Sequence, residues 1–194
     1  MDNHCQDFAF HWDPSKVIDR TTYAGSGQSP VVFSNDKLTV TRHERLRGDD
    51  FPSIRVLSDI SIQERAAIQS TTQINSLRWE LRILNDHGFC EIGVYCPHTK
   101  TSHFLRPTKN ELQSDLPEFK FNKREFGHVF GKDDVVGVRV DLRRIESGAQ
   151  VMDLYFYIDG KVVGESFKDI DMSHIFYPMA AVNDQDDSIE IVHR

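Results

Sequence analysis

Four side chains of this sequence carry the donor atoms that zinc favours: Cys90, Cys96, His98 and His103. Structural zinc takes four nitrogen or sulfur ligands in a tetrahedron, at roughly 2.0–2.3 Å. The intervals between these residues match no strong zinc template. Alternation along the chain also puts Cys90 and Cys96 on the side of Ile92 and Val94, which is expected to face a core. Free cysteine behaves as a small buried hydrophobe, so the expectation is a core pair with no metal or other cofactor. A second cluster, Asn183-Asp184-Gln185-Asp186-Asp187, offers the oxygen ligands that calcium takes. It lacks the spacing and the glycine of an EF-hand loop, which leaves a solvated turn or a contact for a basic partner. Arg42-His43-Glu44-Arg45-Leu46-Arg47 is a short basic run. Such runs can hold phosphate, but the internal glutamate fits a solvated or peptide-contacting loop better.

Signatures of catalysis are missing. The sequence has no Gly-x-Ser-x-Gly, no His-Glu-x-x-His and no phosphate-cradling glycine loop, and no lysine follows Gly25-Ser26-Gly27. Glu80 and Glu91 face away from the apolar sides of their segments, as the paired carboxylates of a sandwich glycosidase would. Each is a lone acid amid Arg78, Arg82 or turn residues, and reads as part of a solvated sheet face. The chain is therefore read as a non-enzyme.

The elements that must position these residues are short strands. Leu77, Trp79, Leu81 and Ile83 alternate with Arg78, Glu80 and Arg82, the period-two pattern of a half-buried strand. Ile92 and Val94 repeat it, as do Val136, Val138, Val140 and Leu142, then Leu154, Phe156 and Ile158. The expected core includes Trp79, Leu81, Ile83, Ile92, Val94, Val136, Val138, Val140, Leu154, Phe156 and Ile158. Asp159-Gly160 sits between two apolar runs and predicts a hairpin over Asp153–Phe167, since both central residues of a type I′ turn need positive φ. Further strands are expected at Pro30–Phe33, Lys37–Arg42, Ser53–Leu57, Tyr177–Val182 and Ser188–Val192. Ser61-x-x-Glu64 and Thr108-x-x-Glu111 both have the capping-box form of a helix start. Pro97–Arg124 lacks sustained alternation and reads as a long exposed loop, with Phe104 and Leu105 as apolar anchors for a partner. Many short strands with little helix indicate an all-β sandwich or barrel.

Composition narrows the function. The 194 residues suit one domain, expected to span 1–194 with an extension at 1–9 and the loop at 97–124. The net charge of −7 argues against a nucleic-acid partner. No apolar run is long enough to span a membrane and none follows the polar first residues as a signal core. Three cysteines are an odd count for a disulfide framework. The expected location is intracellular, in the cytoplasm or nucleus.

Three blocks together resemble the SPRY domain family. Leu77-Arg78-Trp79-Glu80-Leu81-Arg82-Ile83, then Gly88 and Cys90-Glu91-Ile92-Gly93-Val94, is similar to the family's Trp-Glu strand and the Ile-Gly-Val strand after it. Phe126-Gly127 and Asp133-Asp134-Val135-Val136-Gly137-Val138-Arg139-Val140-Asp141-Leu142 resembles its Gly-Asp-Val-Val-Gly strand. Leu154–Lys161, Gly164, Phe167 and Tyr177-Pro178 resembles its Phe-x-x-Asn-Gly hairpin, the Gly-x-x-Phe and the late Tyr-Pro. Asp133 and Asp159 depart from the usual Gly and Asn, and both still suit turns. His11-Trp12-Asp13-Pro14 and Lys37-Leu38-Thr39-Val40 resemble the entry segment and second strand more loosely.

The resemblance implies a twisted sandwich of two antiparallel sheets that binds a short segment of another protein through loops at one end, as an adaptor or scaffold and in some members within a ubiquitin-ligase system. It also implies that Arg42–Arg47 and Asn183–Asp187 are neighbours there. The expected partner-binding residues are Arg42, His43, Arg45, Phe104, Leu105, Asn183, Asp184 and Asp186. The alternatives are a constitutive subunit that binds through a sheet face, and a carbohydrate-binding sandwich.

Overall fold

The computed structural model describes residues 5–19, 31–43, 54–68, 76–116, 124–125, 127–159, 161–162 and 167–193. In chain order the elements are β1 (Cys5–Asp7), β2 (Trp12–Asp19), β3 (Val31–Phe33), β4 (Thr39–Arg42), β5 (Ile54–Ser58), α1 (Ile62–Ile68), β6 (Ser76–Asn85), β7 (Glu91–Cys96), β8 (Thr101–Arg106), β9 (Glu111–Ser114), β10 (Arg124–Glu125), β11 (Val135–Arg144), β12 (Gln150–Ile158), β13 (Lys161–Val162), β14 (Phe167–Asp171), β15 (Tyr177–Val182) and β16 (Ser188–Val192). One sheet runs β13-β12-β11-β6-β16-β4-β3, with β1 added on β6 and β14 on β12. The other runs β10-β9-β8-β7-β15-β5-β2. Among the described residues the pairings are antiparallel except β1 on β6.

The period-two rows meet between the sheets. Leu77, Trp79, Leu81 and Ile83 of β6, Val136, Val138 and Val140 of β11, and Leu154 and Phe156 of β12 are buried against Ile92 and Val94 of β7. Ile158 is half-buried at the margin of this core. The hairpin forms as expected, with Ile158 opposite Lys161 and Asp159 at φ 49°. Asp133 is at φ 68°. Both departures from the family pattern thus stand in left-handed backbone, which Asp tolerates better than most residues. Gly160 and Gly164 lie outside the described residues.

The structure corrects four expectations. Residues 5–9 are not an extension: β1 pairs with β6, and Phe8 and Phe10 are buried beside Trp79, at ring-centroid distances of 5.7 and 6.3 Å. Phe8, Phe10 and Trp12 are themselves an alternating row. The described part of 97–124 is not a loop but includes β8 and β9, whose hairpin extends the second sheet from β7, and 117–123 lie outside the described residues. Phe104 and Leu105 are 3% and 0% exposed and cannot serve as surface anchors. The pattern fails there because both faces of β8 are covered. Leu105 and His103 point into the main core, whereas Phe104 joins Leu57, Tyr95, Met179 and Ala181 in a second cluster on the other face. Of the two capping boxes only the first starts a helix. Ser61 N–H donates to Glu64 Oε2 at 2.8 Å and Glu64 N–H to Ser61 Oγ at 3.1 Å. Thr108-x-x-Glu111 is instead the β8–β9 turn, with Asn110 at φ 56°.

The fourth correction concerns Glu91, which is 2% exposed rather than solvated. Arg55, also buried, reaches Glu91 Oε2 at 3.3 Å and Asp115 at 3.2 Å, and Arg106 reaches Glu91 Oε1 at 3.0 Å. Arg55 further stacks near Tyr95 and Phe104, at 5.4 and 5.7 Å. A buried ion group of this kind resists removal of one partner, because the remaining charge is left uncompensated.

Two measurements test this packing. Trp79→Ala is expected to cost about 3–5 kcal/mol in chemical denaturation, from lost transfer energy and the cavity left; a wild-type curve would take Trp79 out of the core. His103, fully buried between Phe167 and Phe176, has its pKa pushed down from 6.5 to about 4 by burial, with Asp115 opposing. The unfolded chain therefore takes up this proton near pH 6.5 and the folded chain only near pH 4. Stability from this group is full above pH 6.5, falls as pH drops towards 4, and levels off below. The total is about 3 kcal/mol. His103→Phe should remove this part of the pH dependence, and equal slopes for variant and wild type would reject the assignment.

Candidate functional site

At one end of the sandwich four connections converge: the exit from β4 at His43, the β6–β7 turn (86–90), the β8–β9 turn (107–110) and the β15–β16 loop (183–187). Two carboxylates organise them. Asp187, with a fully buried side chain, accepts at Oδ2 from the N–H groups of Asn183 and Asp184, at 3.2 and 2.8 Å. Its Oδ1 lies 2.9 Å from the His87 N–H and 3.0 Å from the His87 ring. Asp86 accepts at Oδ1 from the N–H groups of Gly88, Phe89 and Cys90, at 2.7–3.1 Å. Its Oδ2 accepts from the Thr108 hydroxyl at 2.8 Å, which ties in the third turn.

Arg42 and the 183–187 loop are in direct contact. The Arg42 N–H donates to Asp187 O at 2.9 Å, and Asp186 N–H donates back to Arg42 O at 3.0 Å. The Arg42 guanidinium donates to Asn183 O at 2.5 Å. It is 1% exposed, so its charge caps loop carbonyls from inside and does not form an open basic rim. That corrects the expected role of Arg42. Asn183 is likewise buried, its side-chain amide donating to Phe89 O. The exposed members are His43 and Asp186, with Asp184 half-buried. Arg45 lies outside the described residues.

The sequence reading missed His87, Phe89 and Lys109 on the neighbouring turns. His87, Asp184, Gln185 and Asp186 line a shallow hollow of about 280 Å³. Phe89, two residues after His87, is half-buried, with the Lys109 ammonium 5.3 Å from the ring centre. This distance lies within cation–π range. The turn geometry supports the placement, because Gly88 has φ +104° and a Cβ there would meet Lys109 Cε at 2.9 Å. Asp86-x-Gly88 was a legible turn signal, but nothing in the sequence says that Asp187 points inward.

Among the described residues, one group has metal-ligand atoms within 4.8 Å of one another: Asp86, Cys90 and Asp187. Its donors are already committed. All four carboxylate oxygens accept hydrogen bonds. Burial, then the charges of Asp86 and Asp187, push the Cys90 thiol well above its ordinary pKa. The zinc set read from sequence does not gather. Cys90 immediately precedes β7 and Cys96 ends it, about 20 Å apart at ~3.3 Å per residue. His98 stacks on His174, with centroids 4.2 Å apart.

Asp187→Ala is expected to strand the N–H donors of Asn183 and Asp184, and cost about 2–6 kcal/mol at 1–3 kcal/mol each, with faster amide exchange at 183–187. EDTA is expected to leave the melting temperature unchanged. A drop that zinc or calcium reverses would make the Asp86–Cys90–Asp187 group a metal site.

No family model matches the sequence, and no curated protein sequence matches it. Solved structures do match the fold. The TRIM65 PSpry domain aligns at a TM-score of 0.60 and 16% identity, over 97% of this chain and 92% of that one. A human SPRY domain aligns at 0.55 and 13% identity, over 86% of this chain and 96% of that one. With the strand order, the two facing antiparallel sheets and the converging loops already in view, this likeness shows that the chain has the SPRY-type β-sandwich fold.

Proposed function

We propose that this chain is a protein-interaction module that holds a short segment of a partner at the loop end, acting as an adaptor or scaffold domain within 1–194 rather than as an enzyme. The carrying observation is the clamp itself. Buried Asp187 and Arg42, with half-buried Asp86, tie together four connections from different strands, and leave His87, Asp184, Gln185 and Asp186 around an open hollow, with His43, Phe89 and Lys109 on the adjoining turns. Loops held on a rigid scaffold are where binding residues concentrate. Pre-ordering them lowers the entropy lost on binding. The mixed charges, with an aromatic ring between them, suit a polar peptide that carries charges of its own. Rim charges of this kind set partner choice and association rate.

Sheet-face binding is less well supported. The exposed large apolar residues among those described, Val32, Val129, Ile145, Val162 and Ile175, stand on separate elements. A subunit face would be expected to gather such residues into one patch. The SPRY-type fold is compatible with a place in a ubiquitin-ligase assembly in the cytoplasm or nucleus. No helix among the described residues is long and apolar enough to cross a membrane.

The test starts from affinity capture in native lysate with mass spectrometry, followed by titration of the purified partner. Asp184→Lys with Asp186→Lys, and separately His43→Glu, should leave the fold intact and weaken the partner about tenfold or more, as loss of interfacial charge pairs does. Lys161→Glu, on the remote edge strand β13, should not. Full affinity in both loop variants would move the binding surface off this end.

A further inference from the structure

The sequence places an arginine three residues before a serine or threonine twice, at Arg55-Val56-Leu57-Ser58 and at Arg144-Ile145-Glu146-Ser147. Arginine-directed serine kinases read a guanidinium at that position, as a fixed charge with several donors. The fold treats the two copies oppositely. The first lies in β5, which is paired along both edges by β2 and β15. Arg55 and Ser58 are both buried. Arg55 is bound to Glu91 and Asp115, and the Ser58 hydroxyl donates to Ile60 O at 2.6 Å. An enzyme has no access to that copy in the folded chain.

The second copy is the tip of the β11–β12 hairpin. β6 accompanies β11 only as far as Asp141, opposite Ser76, so the hairpin runs on past the sheet on that side. On the other side β14 reaches Val151, opposite Asp171. Every residue from Arg143 to Gln150 is exposed. Gly148 N–H to Ile145 O at 2.9 Å and Ile145 N–H to Ala149 O at 3.0 Å close the turn, with Gly148 at φ 84°. A segment that buries so little, held by solvent-exposed backbone bonds, lies at the low end of local stability. It can open to the extended form an enzyme cleft accepts. Both groups of the motif are also uncommitted here. Arg143 is engaged by Asp153 and Asp169, whereas the Arg144 guanidinium has no partner among the described residues. The Ser147 hydroxyl accepts from the Ala149 N–H at 3.4 Å and donates to none of them. The other exposed serines among those described, Ser15 and Ser173, donate to Asp13 and Asp171.

We propose that Ser147 is a phosphorylation site for an arginine-directed serine kinase. The Ser147 oxygen attacks the γ-phosphorus of ATP. The new O–P bond forms as the bond to the bridging oxygen breaks, ADP leaves, and the hydroxyl proton passes to the catalytic aspartate of the kinase. The product carries about −1.5 to −2 charge three residues from Arg144, which is placed to pair with it. The tip thereby turns from one with an unpaired cation into a net acidic one. It lies at the opposite end of the sandwich from the 183–187 loop, since β11 runs antiparallel to β6. The site is independent of what that loop end binds.

The experiment incubates the full chain with magnesium ATP and the catalytic domain of calcium/calmodulin-dependent protein kinase II, which reads arginine at this position. Intact mass counts the phosphates and fragmentation places them. The expected product carries phosphate on Ser147 and none on Ser58. Ser147→Ala should abolish that label, and Arg144→Gln should slow it about tenfold or more, as loss of a charged bidentate contact does. Both substitutions fall on exposed side chains, so the fold should survive them. The isolated peptide 142–150 is run beside the chain and should be labelled too. A labelled peptide with an unlabelled Ser147 in the chain would overturn the site, because the closed tip then excludes the enzyme. An unlabelled peptide would overturn it at the level of sequence. Phosphate on Ser58, or an undiminished rate for Arg144→Gln, would also overturn it.

Discussion

The constraint on which the rest depends is that β6 must be paired along both edges while burying one face. Leu77, Trp79, Leu81 and Ile83 form one buried row in a ten-residue strand. β11 covers one edge over residues 76–82. The other edge needs two strands from opposite ends of the chain, because β16 reaches only as far as Glu80 and β1 completes it at Ser76–Arg78. An unpaired edge in this position would expose backbone donors and acceptors beside the core. Closing it brings Phe8 and Phe10 onto Trp79, edge to face, in the arrangement aromatic rings prefer. The same closure brings the two ends of the described chain together at His11 and His193.

The second sheet meets a different demand. Its outer face carries Arg55, Glu91 and Asp115, with Arg106 at the margin, among Tyr95, Phe104 and Met179. Charges in such surroundings are costly unless each finds a partner. Glu91 gives one oxygen to Arg55 and the other to Arg106, while Asp115 takes Arg55 together with the Ser102 N–H and hydroxyl. This arrangement depends on register. Ser102, Phe104 and Arg106 stay on that face because β8 pairs with β7 through Gly93 opposite Phe104, and a Cβ at residue 93 would meet His103 O at 2.1 Å. Gly93 permits the close strand contact that fixes which residues of β8 face inward.

What was legible in the sequence follows from how each strand is covered. Strands with one wet face alternate plainly, so β6, β11 and the β12–β13 hairpin were readable residue by residue. β8 was not, because His103 and Leu105 pack inward while Ser102 and Phe104 are buried on the other side. With both faces covered, polarity no longer reports direction. Glu91 misled for the same reason, since a lone acid beside arginines reads as solvated until the partners are seen to be buried with it. The two capping-box patterns differ only in context. Ser61 precedes a segment that continues as α1, whereas Thr108 spends its hydroxyl on Asp86 across the loop end. At the loop end the sequence brought Arg42 and Asn183–Asp187 together through the family resemblance, but charge type alone could not show that Arg42 and Asp187 are buried and Asp186 is exposed.

That division of labour explains how a polar loop cluster can be held firmly. Its inward-facing charges are spent on backbone: Asp187 and Asp86 on N–H groups, Arg42 on carbonyls. Charge-assisted bonds to the main chain are stronger than neutral ones and fix the path of a loop without regular structure. The outward-facing side chains of the same turns are bound more locally, as Asp184 Oδ1 is to the Gln185 N–H at 2.8 Å, so they can change at less cost to the scaffold. A sandwich with this arrangement separates stability from recognition at the level of single residues. Asp187 and Asp186 are adjacent in sequence, yet one is fully buried and the other open to solvent. The positive φ of Asp186, 66°, is the backbone turn that sends the two carboxylates to opposite tasks.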